Sequence, residues 1–254
     1  MKNWFDVSGK IVLITGAGRG LGFAFASGFA DVGAKVVIND IIPESAAQAA
    51  ETIRASGGVA VAYPFDVTRP DQVERSVAAI EREVGPIDVV INNAGIHRRA
   101  PLAEMSLEEW QAVIDVNLTG VFIVSKYVAK GMIERRRGVI INISSLNSEA
   151  ARPTIGNYCA AKGGITMLTK SMALEWGKYN IRANAIGPGY FVTDLTRPLA
   201  QNPEFDAWVR QSVPLGRWGD PSELVGTAIF LASEASSYIS GRTIYVDGGW
   251  RASL

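Results

Sequence analysis

The sequence predicts a doubly wound α/β fold, a Rossmann-type parallel sheet of about seven strands flanked by helices. Three observations carry that expectation. Short apolar, β-rich runs alternate with longer helical stretches along the whole chain. A glycine-rich turn, Thr15-Gly16-Ala17-Gly18-Arg19-Gly20-Leu21-Gly22, follows the first of those runs and opens a helix. Several runs, such as Val89-Val90-Ile91 and Val139-Ile140-Ile141, are apolar without alternation, as strands covered on both faces must be.

In chain order, Ile11 to Thr15, Lys35 to Asn39, Val59 to Tyr63, Ile87 to Ile91, Val139 to Ile143, Ile181 to Ala185 and Thr243 to Val246 read as strands. Leu107 to Glu134 reads as one long helix and Tyr158 to Lys178 as another, packed side by side on the sheet. From Pro188 to about Trp218 the texture changes, with Pro188, Pro198, Pro203 and Pro214 breaking a mixed aromatic and polar stretch. That segment, 188–218, reads as an insertion over the active site, with a surface excursion of no function as the alternative. No repeat or linker divides the 254 residues, so 1–254 is expected to be one domain.

Composition excludes several function classes. Lys and Arg total 25 against 25 Asp and Glu, so no global positive field exists to attract nucleic acid. The basic run Arg135-Arg136-Arg137 suits the negative end of a helix. Cys159 is the sole cysteine and His97 the sole histidine, which excludes a disulfide framework and Cys- or His-rich metal sites, so no metal is expected. The N-terminal residues lack the apolar stretch of a secretory signal, and no segment has roughly 18 uninterrupted apolar residues. A cytoplasmic protein with no membrane partner is the expectation.

The glycine turn is placed to bind phosphate at a helix N-terminus. Gly16 takes the tight turn, Gly20 and Gly22 allow close approach of backbone to a pyrophosphate and of helix to sheet, and Gly18, Arg19 and Leu21 lie in the same turn. Asp40, at the end of the second strand, is placed to accept from ribose hydroxyls, which favours NAD; Arg19 could offset its repulsion of a 2′-phosphate, so NADP is the alternative. Asp66 and Val67 follow the third strand, where the carboxylate either meets an adenine or caps the helix starting near Pro70. Tyr158 and Lys162 share a helix face, so the ammonium can favour phenolate and bring a group with an ordinary pKa of about 10 into use as acid or base. Taken alone, that pair reads more readily as a half-buried Tyr with a solvated Lys.

In order and spacing, Thr15 to Gly22, Asn92-Asn93-Ala94-Gly95, Asn117, Ser145, Tyr158-x-x-x-Lys162, Pro188-Gly189 and Val246-Asp247-Gly248-Gly249 resemble the short-chain dehydrogenase/reductase family over nearly the whole chain. The resemblance implies that Tyr158 exchanges the substrate proton, Lys162 lowers its pKa and holds the nicotinamide ribose, Ser145 hydrogen-bonds the reacting oxygen, and Asn117 holds a water linking Lys162 to solvent. Asn93, Ala94 and Gly95 would close over the adenosine side, Pro188 and Gly189 would border the nicotinamide, and Thr193 would donate to its carboxamide. A homotetramer is implied, with the two long helices and the C-terminal segment as interfaces.

A narrower resemblance, to the gluconate 5-dehydrogenase group, rests on Asn93 to Arg99, Ser148-Glu149 with Arg152-Pro153-Thr154, Gly187 to Phe191 and Arg217-Trp218-Gly219. It implies an NAD(P)-dependent oxidoreductase interconverting a secondary alcohol and a ketone on a gluconate-like sugar acid. Arg99 is the first candidate anchor for a carboxylate and Arg152 the second; Asn147, Glu149 and Tyr190 complete the substrate set, although Asn147 and Glu149 could instead stabilise their loop. Arg98 and His97 are expected to face solvent. Ser144-Ser145-Leu146-Asn147 and Ala150-Ala151 depart from the group's pattern in the pocket, which leaves a 3-oxoacyl thioester reductase as the enzyme alternative. A dinucleotide-binding regulatory or scaffold protein is the non-enzyme alternative.

Overall fold

Each apolar run takes its place in one parallel sheet. The strands are β1 (Ile11–Ile14), β2 (Lys35–Ile38), β3 (Val59–Ala62), β4 (Val89–Asn92), β5 (Gly138–Ile143), β6 (Ile181–Pro188) and β7 (Thr243–Val246). Their spatial order is β3-β2-β1-β4-β5-β6-β7. The structure, a computed structural model, describes residues 3–194 and 196–253; residues 1, 2 and 254, and Leu195 within the expected 188–218 insertion, lie outside the described residues. β6 runs past its expected end at Ala185 because Gly187 and Pro188 continue the pairing with Tyr245 and Val246 of β7.

Successive strand residues feed two cores. Val12, Ile14, Val36 and Ile38 meet Phe25 and Phe29 of α1 (Gly20–Asp31) on one face, joined by Ala46 and Ala50 of α2 (Pro43–Ala55). Leu13, Val37, Val90 and Ile140 meet Val73, Val77 and Ile80 of α3 (Pro70–Glu83) on the other. Because side chains alternate between faces and both faces are covered, the strands show no polar alternation in sequence.

The expected helix from Leu107 to Glu134 is interrupted. It forms α4 (Leu107–Ile114), a π-turn over Asp115–Thr119 and α5 (Gly120–Arg135). The Gly120 N–H reaches back five residues to the Asp115 carbonyl, which inserts one residue into the helical repeat and swings Asn117 inward, fully buried. The run Leu107–Arg135 is long and apolar enough to cross a membrane by length and composition; here 50% of the apolar stretch is buried within the chain, against α3 and the sheet. The second long helix is α6 (Gly156–Trp176). Beyond β6 come two short helices, α7 (Arg197–Ala200) and α8 (Pro203–Ser212), and α9 (Val225–Ala232) then returns to the α1 face.

β1 lies between β2 and β4, so the chain winds outward in opposite directions from the β1/β4 pair. Loops leaving those two strands diverge at their carboxyl ends and open a crevice, the usual ligand site of such sheets. Phe29 is fully buried between α1 and the sheet. Phe29→Ala should therefore cost about 3–5 kcal/mol in urea unfolding, mainly as a lowered midpoint with little change in slope.

Candidate active site

The crevice is a cavity of about 530 Å³ reached by residues that follow six strands, among them Gly16, Asp40, Asp66, Asn93, Ser145 and Gly189. Its floor is a clasp between the loops after β1 and β4. The Thr15 hydroxyl accepts from the main-chain N–H of Asn93 (3.0 Å) and of Ala94 (3.1 Å). In return the Asn93 amide donates to the carbonyls of Thr15 (3.0 Å) and Gly16 (2.9 Å). Gly16 has φ +60°, and a Cβ there would stand 2.8 Å from the Ala94 Cα. At Gly22 a Cβ would stand 2.2 Å from the Gly16 carbonyl oxygen. No side chain fits at either place, so the turn lies flat against its neighbours at the N-terminus of α1.

Asp40 binds this turn directly: its carboxylate accepts from the Gly18 N–H (3.1 Å) and from the Ile42 N–H (3.1 Å). Asp66 accepts from the main-chain N–H and hydroxyl of Thr68 (2.9 and 2.8 Å), the geometry of a local turn, while still lining the cavity beside Val67. Arg19, Leu21, Ala94, Gly95, Pro188 and Thr193 line the same cavity. Thr193 Oγ1 lies 3.0 Å from the Thr196 hydroxyl. A flat glycine turn at a helix N-terminus, with an arginine and a carboxylate at its rim, fits a dinucleotide in shape and in chemistry.

At the other end stand Ser145, Tyr158 and Lys162. Ser145 Oγ accepts from the Asn147 N–H (3.1 Å), and its hydroxyl hydrogen-bonds the Tyr158 phenol. Lys162 is buried and donates to the Ile143 carbonyl at 2.6 Å. Its nitrogen lies 5.5 Å from the centroid of the Tyr158 ring. Burial pulls Lys162 down to about 8. Burial also pushes the Tyr158 phenol above its ordinary value, opposed by the Ser145 hydrogen bond and the Arg99 charge. The expected lowering of the phenol by Lys162 is not what this geometry produces, because the ammonium is spent on a main-chain carbonyl and is itself desolvated.

Asn117 grips the loop after β4. Its carboxamide accepts from the Ile96 N–H (2.8 Å) and donates to the Ile96 carbonyl (3.1 Å). Asn157, fully buried beside Tyr158, donates to the carbonyls of Arg98 (3.2 Å) and Glu109 (3.3 Å). Ala100 N–H donates to the carbonyl of Thr154, whose φ of +69° is strained for a β-branched residue. These bonds hold the 94–100 segment beside the catalytic helix.

The expected substrate residues are placed unevenly. Arg99 is exposed, and its charge acts on Tyr158, His97 and Tyr190. Arg152 is enclosed by aromatic rings: its guanidinium lies 4.2 Å from the Trp208 centroid and 4.8 Å from that of Phe205, and it donates to the Tyr190 hydroxyl at 2.7 Å. Tyr190 in turn packs edge-on to Phe205, Trp208, Trp218 and Trp250. Arg152 and Tyr190 thus latch the 188–218 segment rather than line the cavity. Glu149 is exposed and committed to the Tyr245 hydroxyl (2.8 Å) and to Arg251, so it ties its loop to the C-terminal segment. Asn147 contributes its main-chain N–H to Ser145.

His97 corrects the sequence reading. Instead of facing solvent it lines the cavity and stacks on Tyr158, with centroids 3.9 Å apart and planes 26° from parallel. Arg98 is exposed, as expected. Nothing in local sequence marks His97 as facing inward; the signal was the identity of a lone aromatic base in the loop that carries Arg99.

A family model described as "Enoyl-(Acyl carrier protein) reductase" matches residues 16–251. The chain belongs to the short-chain dehydrogenase/reductase family, and the protein is an oxidoreductase of that class. It is 47% identical over 249 residues to a 5-keto-D-gluconate 5-reductase of Escherichia coli, covering 98% of each chain. With a gluconate 5-dehydrogenase of Gluconobacter oxydans it shares 48% identity over 250 residues, again covering 98% of both. Among solved structures, a gluconate 5-dehydrogenase of Burkholderia cenocepacia in complex with NADP and tartrate superposes with a TM-score of 0.96 at 47% identity, covering 99% of this chain and 98% of that one.

Lys162 makes stability depend on pH with a defined sign. Its folded value of about 8 lies below the ordinary 10.5, so between those values the unfolded chain binds more protons and stability rises with pH. Below about 8 both states are protonated and the penalty is fully present. Urea unfolding should show this rise across pH 8–10 in the native chain and lose it in Lys162→Met.

Proposed function

We propose that this protein interconverts a hydroxyl-bearing sugar acid and its keto form, gluconate and 5-ketogluconate or a close relative, at Ser145, Tyr158 and Lys162. The observation that carries the reading is Arg99: a guanidinium with no carboxylate partner among the described residues, held beside Tyr158 by the segment that Asn117 and Asn157 fix. A sugar acid supplies the carboxylate such a cation lacks. The similarity to enzymes named for gluconate and 5-ketogluconate supports the same substrate class.

When bound, the nicotinamide supplies or accepts the hydride. Gly16, Gly18, Gly20 and Gly22 would hold the pyrophosphate, Asp40 and Arg19 the adenosine ribose, and Asp66, Val67, Asn93, Ala94 and Gly95 the adenine side; Pro188, Gly189 and Thr193 would border the nicotinamide. Tyr158, kept protonated by burial, gives its proton to the carbonyl oxygen of the keto acid, and the Ser145 hydroxyl, beside the phenol, hydrogen-bonds the same oxygen. The resting phenol therefore suits reduction. Lys162, with a value of about 8, exchanges a proton close to neutral pH. Asn117 positions the segment through Ile96. Both dinucleotides are accepted: Asp40 already takes two main-chain N–H groups, which weakens its repulsion of a 2′-phosphate, and Arg19 stands ready to pair with one. We place the enzyme in the cytoplasm as a homotetramer, with exposed Phe122 of α5 and Met167 and Leu174 of α6 at the interfaces.

Initial rates of 5-ketogluconate reduction with NADH and NADPH, followed at the reduced nicotinamide band, test the reading; absence of turnover with dinucleotide bound sinks the sugar-acid assignment. Tyr158→Phe should lower kcat by about 10²–10⁴-fold with dinucleotide affinity unchanged. Arg99→Ala should raise KM for the acid by roughly 10–100-fold and leave kcat near its native value. Arg19→Ala should reduce kcat/KM for NADPH about 10-fold more than for NADH, measured in the same assay.

A further inference from the structure

We infer that His97 is a specificity-determining residue: its imidazole, stacked on Tyr158, takes a substrate hydroxyl vicinal to the carbon that is oxidised or reduced. The inference rests on the sugar-acid reading and adds to it the group that reads the polyol.

Beyond its stack on Tyr158, the imidazole makes no hydrogen bond among the described residues that would account for its place. The segment that carries it is already held by main-chain bonds on either side, Asn117 to Ile96 and Asn157 to the Arg98 carbonyl. His97 Nδ1 is buried without a hydrogen-bond partner. A histidine kept for packing or for tying loops would have that nitrogen satisfied. The ring lines the cavity, and the broad Cβ–Cγ torsion lets it turn to meet an occupant.

Its chemistry fits a neutral hydroxyl. Desolvation, with Arg99 and Lys162 nearby, pulls His97 down to about 4, so the ring is uncharged near neutrality and keeps one accepting nitrogen. Arg99, two residues on, is left to take the carboxylate, and the two roles do not compete. The stack sets the distance. With the rings 3.9 Å apart and nearly parallel, a group bonded at the imidazole edge lies one ring thickness from a group bonded at the phenol edge. Adjacent carbons of a polyol carry oxygens at about that separation, whereas a ketone in a plain acyl chain offers no second oxygen there and would leave the imidazole unpaired.

The test compares 5-ketogluconate with 5-oxohexanoate, which keeps the carboxylate and the ketone at the same spacing but has no hydroxyls, the latter used as substrate or as competitive inhibitor. His97→Phe keeps an aromatic ring on Tyr158 and removes the nitrogen; His97→Gln keeps a hydrogen-bonding group and removes the ring. His97→Phe should lower kcat/KM for 5-ketogluconate about 10-fold or more, mostly through KM, while its constant for 5-oxohexanoate stays within roughly twofold of native. His97→Gln should recover part of the lost affinity for 5-ketogluconate. An equal loss on both compounds would mean that the ring merely supports Tyr158, and no loss on either would remove it from the site; each result overturns the inference. A native enzyme that does not turn over 5-ketogluconate overturns the substrate reading and this inference together, whereas native turnover with both variants unaffected overturns this inference alone.

Discussion

The clasp between Thr15 and Asn93 is the constraint on which the site depends. A parallel sheet wound outward from its centre leaves two loops diverging at the switch point, and nothing in strand pairing fixes one loop against the other. Four hydrogen bonds do so here, two into the Thr15 hydroxyl and two from the Asn93 amide. With the loops fixed, the glycine turn lies against Ala94 so closely that no Cβ fits, and Asp40 completes the turn from the β2 side. One strand further, Asn92 donates to Asn142 (2.8 Å) and to Ser125 (2.9 Å), and Asn142 donates to Thr169 (2.9 Å), so buried amides brace β4 and β5 against α5 and α6. In a low-dielectric interior these amide donors fix geometry in a way apolar packing alone does not, although the Asn92 Oδ1 itself has no partner among the described residues.

The same logic extends into the catalytic half. From Ala94 the chain runs past Ile96, gripped by Asn117, to Arg98, gripped by Asn157. That path delivers His97 onto Tyr158 and leaves Arg99 exposed with its charge acting on the phenol. Burial there does more than position groups. It raises the phenol of Tyr158 and lowers the ammonium of Lys162, moving two side chains with ordinary values near or above 10 in opposite directions. A protonated acid and a cation that gives up its proton readily are thereby placed on one helix face, and the cost is borne by the covered sheet beneath.

Over the cavity the 188–218 segment is secured by chemistry of a different kind. Arg152 sits among Trp208, Phe205 and Tyr190 and hydrogen-bonds the Tyr190 hydroxyl, so a cation from the loop after β5 pins an aromatic cluster of that segment. Glu149, with Tyr245 and Arg251, performs the corresponding task at the C-terminus. Two side chains that in sequence resemble substrate ligands are thus engaged as fasteners between segments.

Sequence by itself determined the layers, the strands and the chemical set. Uninterrupted apolar runs mark strands covered on both faces, a glycine turn after the first of them marks the phosphate end, and Ser145, Tyr158 and Lys162 have the spacing of a proton-transfer centre. These features are local, and local features survive in a one-dimensional reading. Only the tertiary structure decided what depends on direction and burial. The π-turn that turns Asn117 inward adds one residue to a helix whose apolar pattern gives no sign of it. The contacts of Arg152 and Glu149 lie with aromatic and C-terminal partners 38 to 102 residues away. His97 faces Tyr158 because two asparagines from different helices hold the segment on either side of it, a convergence of three chain segments that no spacing encodes. The state of the phenol depends on how much water reaches it, and that is a property of the packed fold alone.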